Sequence, residues 1–267
     1  MSIQDRFDWS PNNATLVPAT NSTRLVAWNV NHRAARHAIP QWISEEIKAA
    51  SADILILLEY VRGSDHDRFI QQLASCGLTN VSLSKEGFGN QLLIATREKH
   101  DLGPTLMPEI PWVPGNVLHI VLDGGTNIIG FRMPAFEKEE RQFKRPTWDW
   151  LREQARAIVD RPAMIAGDFN TASGDSAEFC GDCIEMFRND GWAYTIPASG
   201  HSWCWKPGAT ERRIDYAFIS PSLSPLSAEY SWSFRENHGI TSQAPGTPDH
   251  AMLRVEFTAA AARLGII

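Results

Sequence analysis

The chain has 267 residues, of which 43% are hydrophobic and 21% are charged, and this globular composition excludes a disordered, collagen-like or coiled-coil protein. A formal net charge of −6 argues against a protein that coats nucleic acid, but not against a nuclease, which needs only a local positive groove. The longest apolar runs, such as residues 54–58, are too short to span a bilayer.

The predicted elements alternate between strands and helices from Thr23 onward. In the first half, apolar runs predict strands and amphipathic spacing predicts helices. The predicted strands are residues 24–29, 53–58, 92–95, 117–122 and 127–131, and the predicted helices are 40–50 and 67–75. Gly124 and Gly125 form the expected turn between the last two strands.

The second half continues the alternation. It predicts helices at residues 147–160 and 176–190 and strands at 163–166, 216–219 and 252–257. Without a repeat or a convincing linker, one α/β domain over residues 23–258 is the simplest interpretation, with tails at residues 1–22 and 259–267.

The four cysteines and the N-terminal residues bear on location. Cys76, Cys180, Cys183 and Cys204 fit a reducing compartment, where thiols usually stay free. The first twenty residues lack a basic start followed by an apolar stretch, so we expect no secretory signal and a cytoplasmic location. The sequence indicates no membrane association and no obligate protein partner.

Short polar motifs stand at the ends of the predicted buried strands, where an α/β scaffold presents functional groups to a crevice. Each motif alone is weak, but five in succession are hard to attribute to chance. In chain order they are residues 28–31 (WNVN), 58–59 (LE), 167–170 (GDFN), 213–216 (RIDY) and 248–250 (PDH).

These residue types suit metal-assisted hydrolysis of a phosphate ester. Oxygen ligands hold a hard cation such as Mg²⁺ or Mn²⁺, and Glu59, Asn31 and Asp249 are candidate ligands. Asp168 is suited to orient and deprotonate the attacking water. His250 is suited to donate to the phosphate if a carboxylate fixes its tautomer, and Asp215 is the obvious partner.

The motif series resembles the endonuclease/exonuclease/phosphatase superfamily, which includes deoxyribonucleases, AP endonucleases, deadenylases, sphingomyelinases and inositol polyphosphate 5-phosphatases. The resemblance spans residues 23–257. It implies a four-layer α/β/β/α sandwich, in which two packed, mostly antiparallel β-sheets are flanked by helices. It also implies that Asn29 and Asn170 contact the phosphate or the water, that Asp168 activates the nucleophile, and that His250 stabilises the transition state.

Four residues depart from the family pattern. Leu58 stands where the family usually has Gln, Asn31 where several relatives have Asp, and Pro248 where the family has Ser. Arg132 occupies the place of a His or Tyr, where an arginine is suited to clamp a phosphate but not to act as a general acid.

Simpler interpretations exist for several of these residues. Asp168 and Asn170 could only cap a turn, and Arg132 could pair with Glu137 or Glu139 on the surface. Residues 138–145, with further basic residues, could form a solvated loop or the basic lip of a groove. The spacing of Cys180, Cys183, His201 and Cys204 is compatible with zinc, but buried free cysteines on a helix would explain the first two. Large aromatics such as Trp148, Trp150, Trp203 and Trp205 are more often core than base-stacking residues.

The sequence therefore predicts a divalent-metal-dependent hydrolase of phosphate esters, with a nuclease acting on DNA or RNA as the first hypothesis. A phosphatase or phosphodiesterase acting on a small ester, such as a phosphoinositide, a nucleotide or a lipid head group, is the alternative. A catalytically inactive binding module is the third hypothesis. The sequence does not distinguish DNA from RNA or endonuclease from exonuclease activity, and it does not indicate the oligomeric state.

Overall fold

A computed structural model describes residues 22–31, 39–86, 90–105, 107–136, 139–204, 210–240 and 247–259. The predicted tails lie almost wholly outside this part of the chain. Among the described residues, no helix has both the length and the apolar character needed to cross a membrane.

Fourteen strands and six helices make up the described structure. The strands are β1 (Thr23–Asn29), β2 (Ile54–Tyr60), β3 (Asn80–Leu83), β4 (Gln91–Thr96), β5 (His100–Leu102), β6 (Val117–Leu122), β7 (Asn127–Arg132), β8 (Ala163–Asp168), β9 (Ala193–Thr195), β10 (Trp203–Cys204), β11 (Glu211–Arg212), β12 (Asp215–Ile219), β13 (Leu223–Ser231) and β14 (Met252–Ala259). The helices are α1 (Gln41–Ala50), α2 (His66–Ser75), α3 (Val113–Asn116), α4 (Arg141–Arg156), α5 (Gly181–Asn189) and α6 (Ser233–Asn237).

Twelve of the strands form two six-stranded sheets of similar design. The first sheet has the order β13-β14-β1-β2-β4-β3, and the second has the order β5-β6-β7-β8-β12-β9. Each contains one parallel pair, β1 with β2 and β7 with β8, and its other pairs are antiparallel. The short β10 and β11 form a separate two-stranded hairpin.

Three apolar layers show how the sheets and helices stack. The middle layer lies between the two sheets, and includes Ile56 of β2 and Met164 of β8. A second layer joins the outer face of the first sheet to α1 and α2, and a third joins the outer face of the second sheet to α4 and α5. Burial on both faces explains why β2, β4 and β8 are almost continuous apolar runs. This confirms the predicted four-layer α/β/β/α sandwich.

The predicted elements of the central layers are found close to their expected bounds, whereas two helices differ. The helix predicted at residues 147–160 is α4, which begins six residues earlier and keeps Pro146 in its interior. The helix predicted at residues 176–190 is interrupted, because Cys180 adopts a left-handed conformation (φ 65°) between a 3₁₀ turn and α5. The short or partly exposed elements were not predicted, and these are β3, β5, β9, β10, β11, β13, α3 and α6.

The two parallel pairs bring the predicted polar motifs to one end of the sandwich. Asn29 ends β1, and Glu59 lies next to the end of β2. In the second sheet, Arg132 ends β7 and is in register with Asp168 at the end of β8. Because β12 runs antiparallel to β8, its first residue, Asp215, lies opposite Asp168.

Candidate active site

Glu59 lies at an irregular point of β2. Its backbone has a positive φ of 55°, and the pairing of β2 with β4 shifts register between Leu57 and Tyr60. A non-glycine residue rarely adopts this conformation, and such strain is often found at functional sites. The irregularity interrupts the alternation of side chains between the two faces of β2 at Glu59. The carboxylate of Glu59 is almost fully buried.

Asn29 connects the two sheets. Its Nδ2 donates to Glu59 Oε1 and to Asp168 Oδ2, both at 3.2 Å, and its Oδ1 accepts from the backbone N–H of Asn31 at 3.0 Å. The side-chain amide is buried and uses both of its N–H donors on carboxylates. Asn29 therefore fixes the separation between the carboxylates of Glu59 and Asp168.

Asp168 uses its two oxygens differently. Oδ1 accepts from the backbone N–H of Asn170 at 2.9 Å, which is the turn-capping role considered from the sequence. Oδ2 accepts from the side chains of Asn29 and Asn170 and lies 3.9 Å from His250 Nε2. Burial raises the pKa of Asp168 to about 6, against the opposing effect of His250. A carboxylate with this pKa is largely ionised at neutral pH and still basic enough to accept a proton.

His250 and Asp215 form a buried dyad. His250 Nδ1 lies 2.8 Å from Asp215 Oδ2, so that Nε2 is directed toward Asp168. Burial disfavours the protonated imidazole, but the carboxylates of Asp215 and Asp168 outweigh this effect and raise the pKa of His250 to about 10. At this pKa the ring carries a proton on both nitrogens at neutral pH. Asp215 is the partner expected from the sequence, and the role of His250 as a donor to the phosphate stays a prediction.

Two residues that we did not select from the sequence hold this dyad in place. Ser202 Oγ accepts from the backbone N–H groups of Ile214 at 2.9 Å and Asp215 at 3.1 Å. Trp28 Nε1 donates to the backbone carbonyl of His250 at 3.1 Å. Trp28 belongs to the first motif, so the motif itself was the available signal, whereas the contact of Ser202 depends on a long-range turn.

Arg132 lies inside the site. Its Nε is 2.8 Å from Glu59 Oε1, and only 3% of the Arg132 side chain is exposed. This contradicts the alternative that Arg132 pairs with Glu137 or Glu139 on the surface. The Nη1 atom of Arg132 is buried and has no hydrogen-bond partner among the described residues. The guanidinium also lies over the ring of Trp112, 5.0 Å from its centroid.

The charges of the buried cluster favour the binding of a metal cation. Three buried carboxylates (Glu59, Asp168 and Asp215) are in contact with two buried cations, Arg132 and protonated His250. Asp168, Asp215 and His250 also place one potential ligand atom each within 4.8 Å of one another. A metal bound by all three would have to replace the hydrogen bond between His250 and Asp215. The buried carboxylate of Glu59 offers oxygen atoms of the kind that hold hard divalent cations.

Asn31 and Asp249, the other predicted metal ligands, are half-buried neighbours of the cluster. Asn31 adopts a positive φ of 48°, and its Nδ2 donates to the carbonyl of Thr247 at 3.1 Å. Asp249 Oδ2 lies 3.4 Å from Trp203 Nε1. Their role as ligands stays a prediction. Leu58, where the family usually has Gln, is packed into the core between the sheets.

The structure also bears on the zinc, aromatic and basic-lip interpretations of the sequence. In the described part of the chain, Cys180, Cys183, His201 and Cys204 do not form a metal cluster. Trp148 and Trp150 are buried, and Trp205 lies outside the described residues. The basic-lip interpretation is weakened because most of its arginines pair with carboxylates, as do Arg141 with Glu178, Arg145 with Asp182, Arg152 and Arg156 with Asp190, and Arg212 with Asp175.

Lys144 is a further residue that the sequence analysis did not select. It lies on α4 with a buried side chain, and its Nζ donates to the backbone carbonyl of Asn170 at 2.6 Å. Burial lowers the pKa of Lys144 to about 8. Asn170 has a positive φ of 48°, so this contact supports a strained loop next to Asp168. The sequence analysis left residues 138–145 as either a solvated loop or a basic lip, and it did not predict that α4 begins at Arg141.

Solved structures share this architecture. The chain is similar to an endonuclease/exonuclease/phosphatase from Beutenbergia cavernae DSM 12333, at 17% identity and a TM-score of 0.62, covering 90% of this chain and 72% of that one. It is similar to a 3′-5′ exonuclease (NExo) from Neisseria meningitidis, at 19% identity and a TM-score of 0.64, covering 88% and 99%. An AP endonuclease from Archaeoglobus fulgidus gives 18% identity and a TM-score of 0.63, covering 90% and 100%.

Comparisons of the sequence give one negative and one positive result. The comparison with curated proteins gives no match. The family model described as the endonuclease/exonuclease/phosphatase family matches residues 26–242, which covers most of the chain and all the site residues except Asp249 and His250. Together with the two-sheet architecture and the converging motifs, this match shows that the chain belongs to the endonuclease/exonuclease/phosphatase family.

Proposed function

We propose that this protein is a divalent-metal-dependent phosphodiesterase, and that its substrate is DNA or RNA. The family suggests a hydrolase that acts on phosphoester bonds. The observation that supports the proposal most strongly is the convergence of Glu59, Asp168 and His250, from three motifs far apart in the sequence, through contacts to Asn29 and to one another.

The proposed roles follow from the contacts. Asp168 accepts the proton of the attacking water, because its Oδ2 is directed toward the dyad and its pKa of about 6 keeps it ionised at neutral pH. The Nε2–H of His250, oriented by Asp215, donates to a non-bridging phosphate oxygen as negative charge develops. Asn29 and Asn170 hold Asp168 through their side-chain amides. A contact of either amide N–H with the phosphate would replace one of the hydrogen bonds that these amides now make.

Glu59, with Asn31 and Asp249, would hold Mg²⁺ or Mn²⁺. When bound, the cation supplies charge neutralisation at the phosphate oxygens. Arg132 is already paired with Glu59. Its Nη1 has no hydrogen-bond partner among the described residues, and it would donate to the phosphate. This arrangement makes Arg132 both a partner of the metal carboxylate and a substrate contact.

The nucleic-acid substrate rests on the proteins that share the fold. Structures similar to this chain include an exonuclease, an AP endonuclease and a 3′ phosphatase bound to a product DNA hairpin. Each is less than 20% identical to this chain, so the likeness shows a shared fold. Their substrates are used here to choose the substrates of the assay. The net charge of −6 and the paired arginines leave the small-ester alternative open to the same assay.

The test is a cleavage panel with purified protein. Plasmid DNA, single-stranded DNA, RNA, a phosphoinositide, a nucleotide and a lipid phosphodiester are each incubated with Mg²⁺, with Mn²⁺ and with EDTA. We expect cleavage of at least one nucleic acid that EDTA abolishes. Cleavage of only a small ester would replace the nuclease proposal with the phosphatase alternative. No metal-dependent hydrolysis of any substrate would favour an inactive binding module.

A further inference from the structure

Cys180 and Cys183 form a dithiol that the proposed hydrolysis does not use. Both thiols are free and buried, and the backbone N–H of Cys183 donates to the carbonyl oxygen of Cys180 at 3.1 Å, so that the two residues lie on one turn. They flank Gly181 and Asp182 at the start of α5, with Cys180 as the residue just before the helix. Two cysteines separated by two residues at a helix N-terminus are the arrangement of redox-active dithiols, and the turn that joins them here keeps Cys180 and Cys183 close together.

A cation contacts the pair directly. Arg145 Nη1 donates to Cys183 Sγ at 2.7 Å, while its Nη2 donates to Asp182 Oδ2 at 2.8 Å. Asp182 therefore holds the guanidinium against the sulfur. The charge of Lys144 and the N-terminal end of α5 add to the positive surroundings. Such surroundings favour a thiolate, which is the reactive form of cysteine.

Arg145 contacts the sulfur of Cys183, and Cys183 interacts in turn with Cys180. This interaction lowers the pKa of the Cys180 thiol to about 7, although burial opposes the shift. The pKa of Cys183 is raised by the same interaction and by burial. Because Cys180 also stands at the N-terminal end of α5, it is assigned as the nucleophile and Cys183 as the resolving thiol.

The backbone holds the pair in this geometry. A Cβ atom at Gly181 would lie 1.9 Å from the carbonyl oxygen of Asp175, so the residue that follows Cys180 must be glycine for the loop and the helix to pack so closely. Cys180 keeps a left-handed backbone (φ 65°), which ends the 3₁₀ turn and starts α5. This conformation is rare for a residue other than glycine, asparagine or aspartate.

We propose that Cys180 and Cys183 are a peroxide-sensitive dithiol that closes to an intramolecular disulfide. Only 3% of Cys180 and 2% of Cys183 is exposed, which favours a small oxidant such as hydrogen peroxide over a bulky disulfide. The side chain of Arg145 is 41% exposed, so solvent reaches the edge of the pair.

The reaction balances in two steps. The Cys180 thiolate attacks one peroxide oxygen, the O–O bond breaks, and the released hydroxide takes a proton to leave as water, which gives a sulfenic acid. Cys183 sulfur then attacks the Cys180 sulfur, the S–O bond breaks, and the hydroxyl leaves with the Cys183 proton as a second water. The two cysteines are oxidised by two electrons in total, and the peroxide is reduced to two waters.

The test treats the folded wild-type protein with hydrogen peroxide and maps its peptides by mass spectrometry without reduction. We expect a peptide that contains Cys180 and Cys183 with the loss of two hydrogen atoms, and its recovery with dithiothreitol. A dithiol that stays reduced under conditions that oxidise the half-buried Cys76 would overturn the proposal. Direct oxidation of Cys180 to the sulfinic acid without a disulfide would also overturn it.

Matched variants separate chemistry from fold. The double variant Cys76→Ser/Cys204→Ser keeps the pair and should form the disulfide at the wild-type rate. Cys183→Ser should stop at a sulfenic acid that a dimedone probe traps on Cys180. Arg145→Gln should oxidise several-fold more slowly, because it loses the cation beside the sulfur. Equal rates for Arg145→Gln and wild type would show that the arginine contact does not activate the pair.

Discussion

At the scale of single residues, the site is a buried set of opposite charges whose members depend on one another. Arg132 is the clearest case. From the sequence it was an isolated departure from the family pattern, whereas the structure places its guanidinium against Glu59 with almost no exposure of either side chain. Sequence patterns do not predict this pairing, because the two residues end strands of different sheets. Removing one partner should therefore leave a buried charge without compensation.

This gives a prediction for Glu59→Gln. We expect the variant to lose about 3–5 kcal/mol of unfolding free energy, because Arg132 would keep its buried charge. The double variant Glu59→Gln/Arg132→Met should recover most of that loss while remaining inactive. Urea denaturation of the metal-free proteins measures both. If the double variant were no more stable than Glu59→Gln, the buried pair would not determine the stability of this region.

His250 gives a prediction for pH. Its pKa in the folded protein, about 10, lies above its ordinary value of 6.5, so the folded state binds the proton more tightly. The resulting stabilisation is fully present below about pH 6.5 and is lost as the pH rises through about 10. In EDTA, wild type should therefore lose more unfolding free energy between pH 7 and 10 than His250→Gln does. Parallel pH profiles for the two proteins would show that the dyad does not hold the proton.

At the scale of elements, the end of β8 is built around Gly167. Its φ is 150°, and a Cβ there would lie 2.0 Å from the carbonyl oxygen of Phe131 and about 3.0 Å from a side-chain carbon of Leu58. Because β7 and β8 run parallel and in register, neither backbone has room to move away. The glycine therefore allows the close approach that puts Asp168 opposite Arg132.

We predict that Gly167→Ala lowers the unfolding free energy by about 2–4 kcal/mol, because the clash involves backbone atoms of a buried strand. Gly63→Ala is the matched control, since an added Cβ there has no neighbour within 4 Å, and its effect should be within about 0.5 kcal/mol. Equal stabilities of the two variants, measured by urea denaturation, would contradict the close strand approach.

Some elements and site residues could be predicted from the sequence, and others could not. The buried strands and the residues Asn29, Glu59, Asp168, Asp215 and His250 were predicted, because apolar runs followed by short polar motifs are local signals. The contact of Lys144 with the loop at Asn170 was not predicted, because Lys144 lies in the part of α4 that precedes Pro146. A proline in a helix interior costs a backbone hydrogen bond, so local propensity places the start of α4 after Pro146. Packing of Trp148 and Leu151 and the contact of Lys144 with Asn170 favour the longer helix.

At the scale of the whole molecule, the design is a sandwich in which each sheet contributes the ends of one parallel pair of strands. Asn29 and Glu59 come from the first sheet, and Arg132 and Asp168 come from the second. The contacts of Asn29 with Asp168 and of Arg132 with Glu59 cross the space between the sheets. The packing of the two sheets therefore sets the distances on which the proposed hydrolysis depends.

The central claim is that Asp168 is the base of a metal-dependent hydrolysis at this junction. The most direct test compares the kcat of wild type, Asp168→Asn and the control Asp101→Asn on the best substrate of the panel, with the metal that supports the highest activity. We predict that Asp168→Asn lowers kcat by about 10²–10⁴-fold, with a melting temperature at or above that of wild type, while Asp101→Asn, on the exposed edge strand β5, keeps wild-type activity. A folded Asp168→Asn protein that hydrolyses the substrate at the wild-type rate would contradict the account.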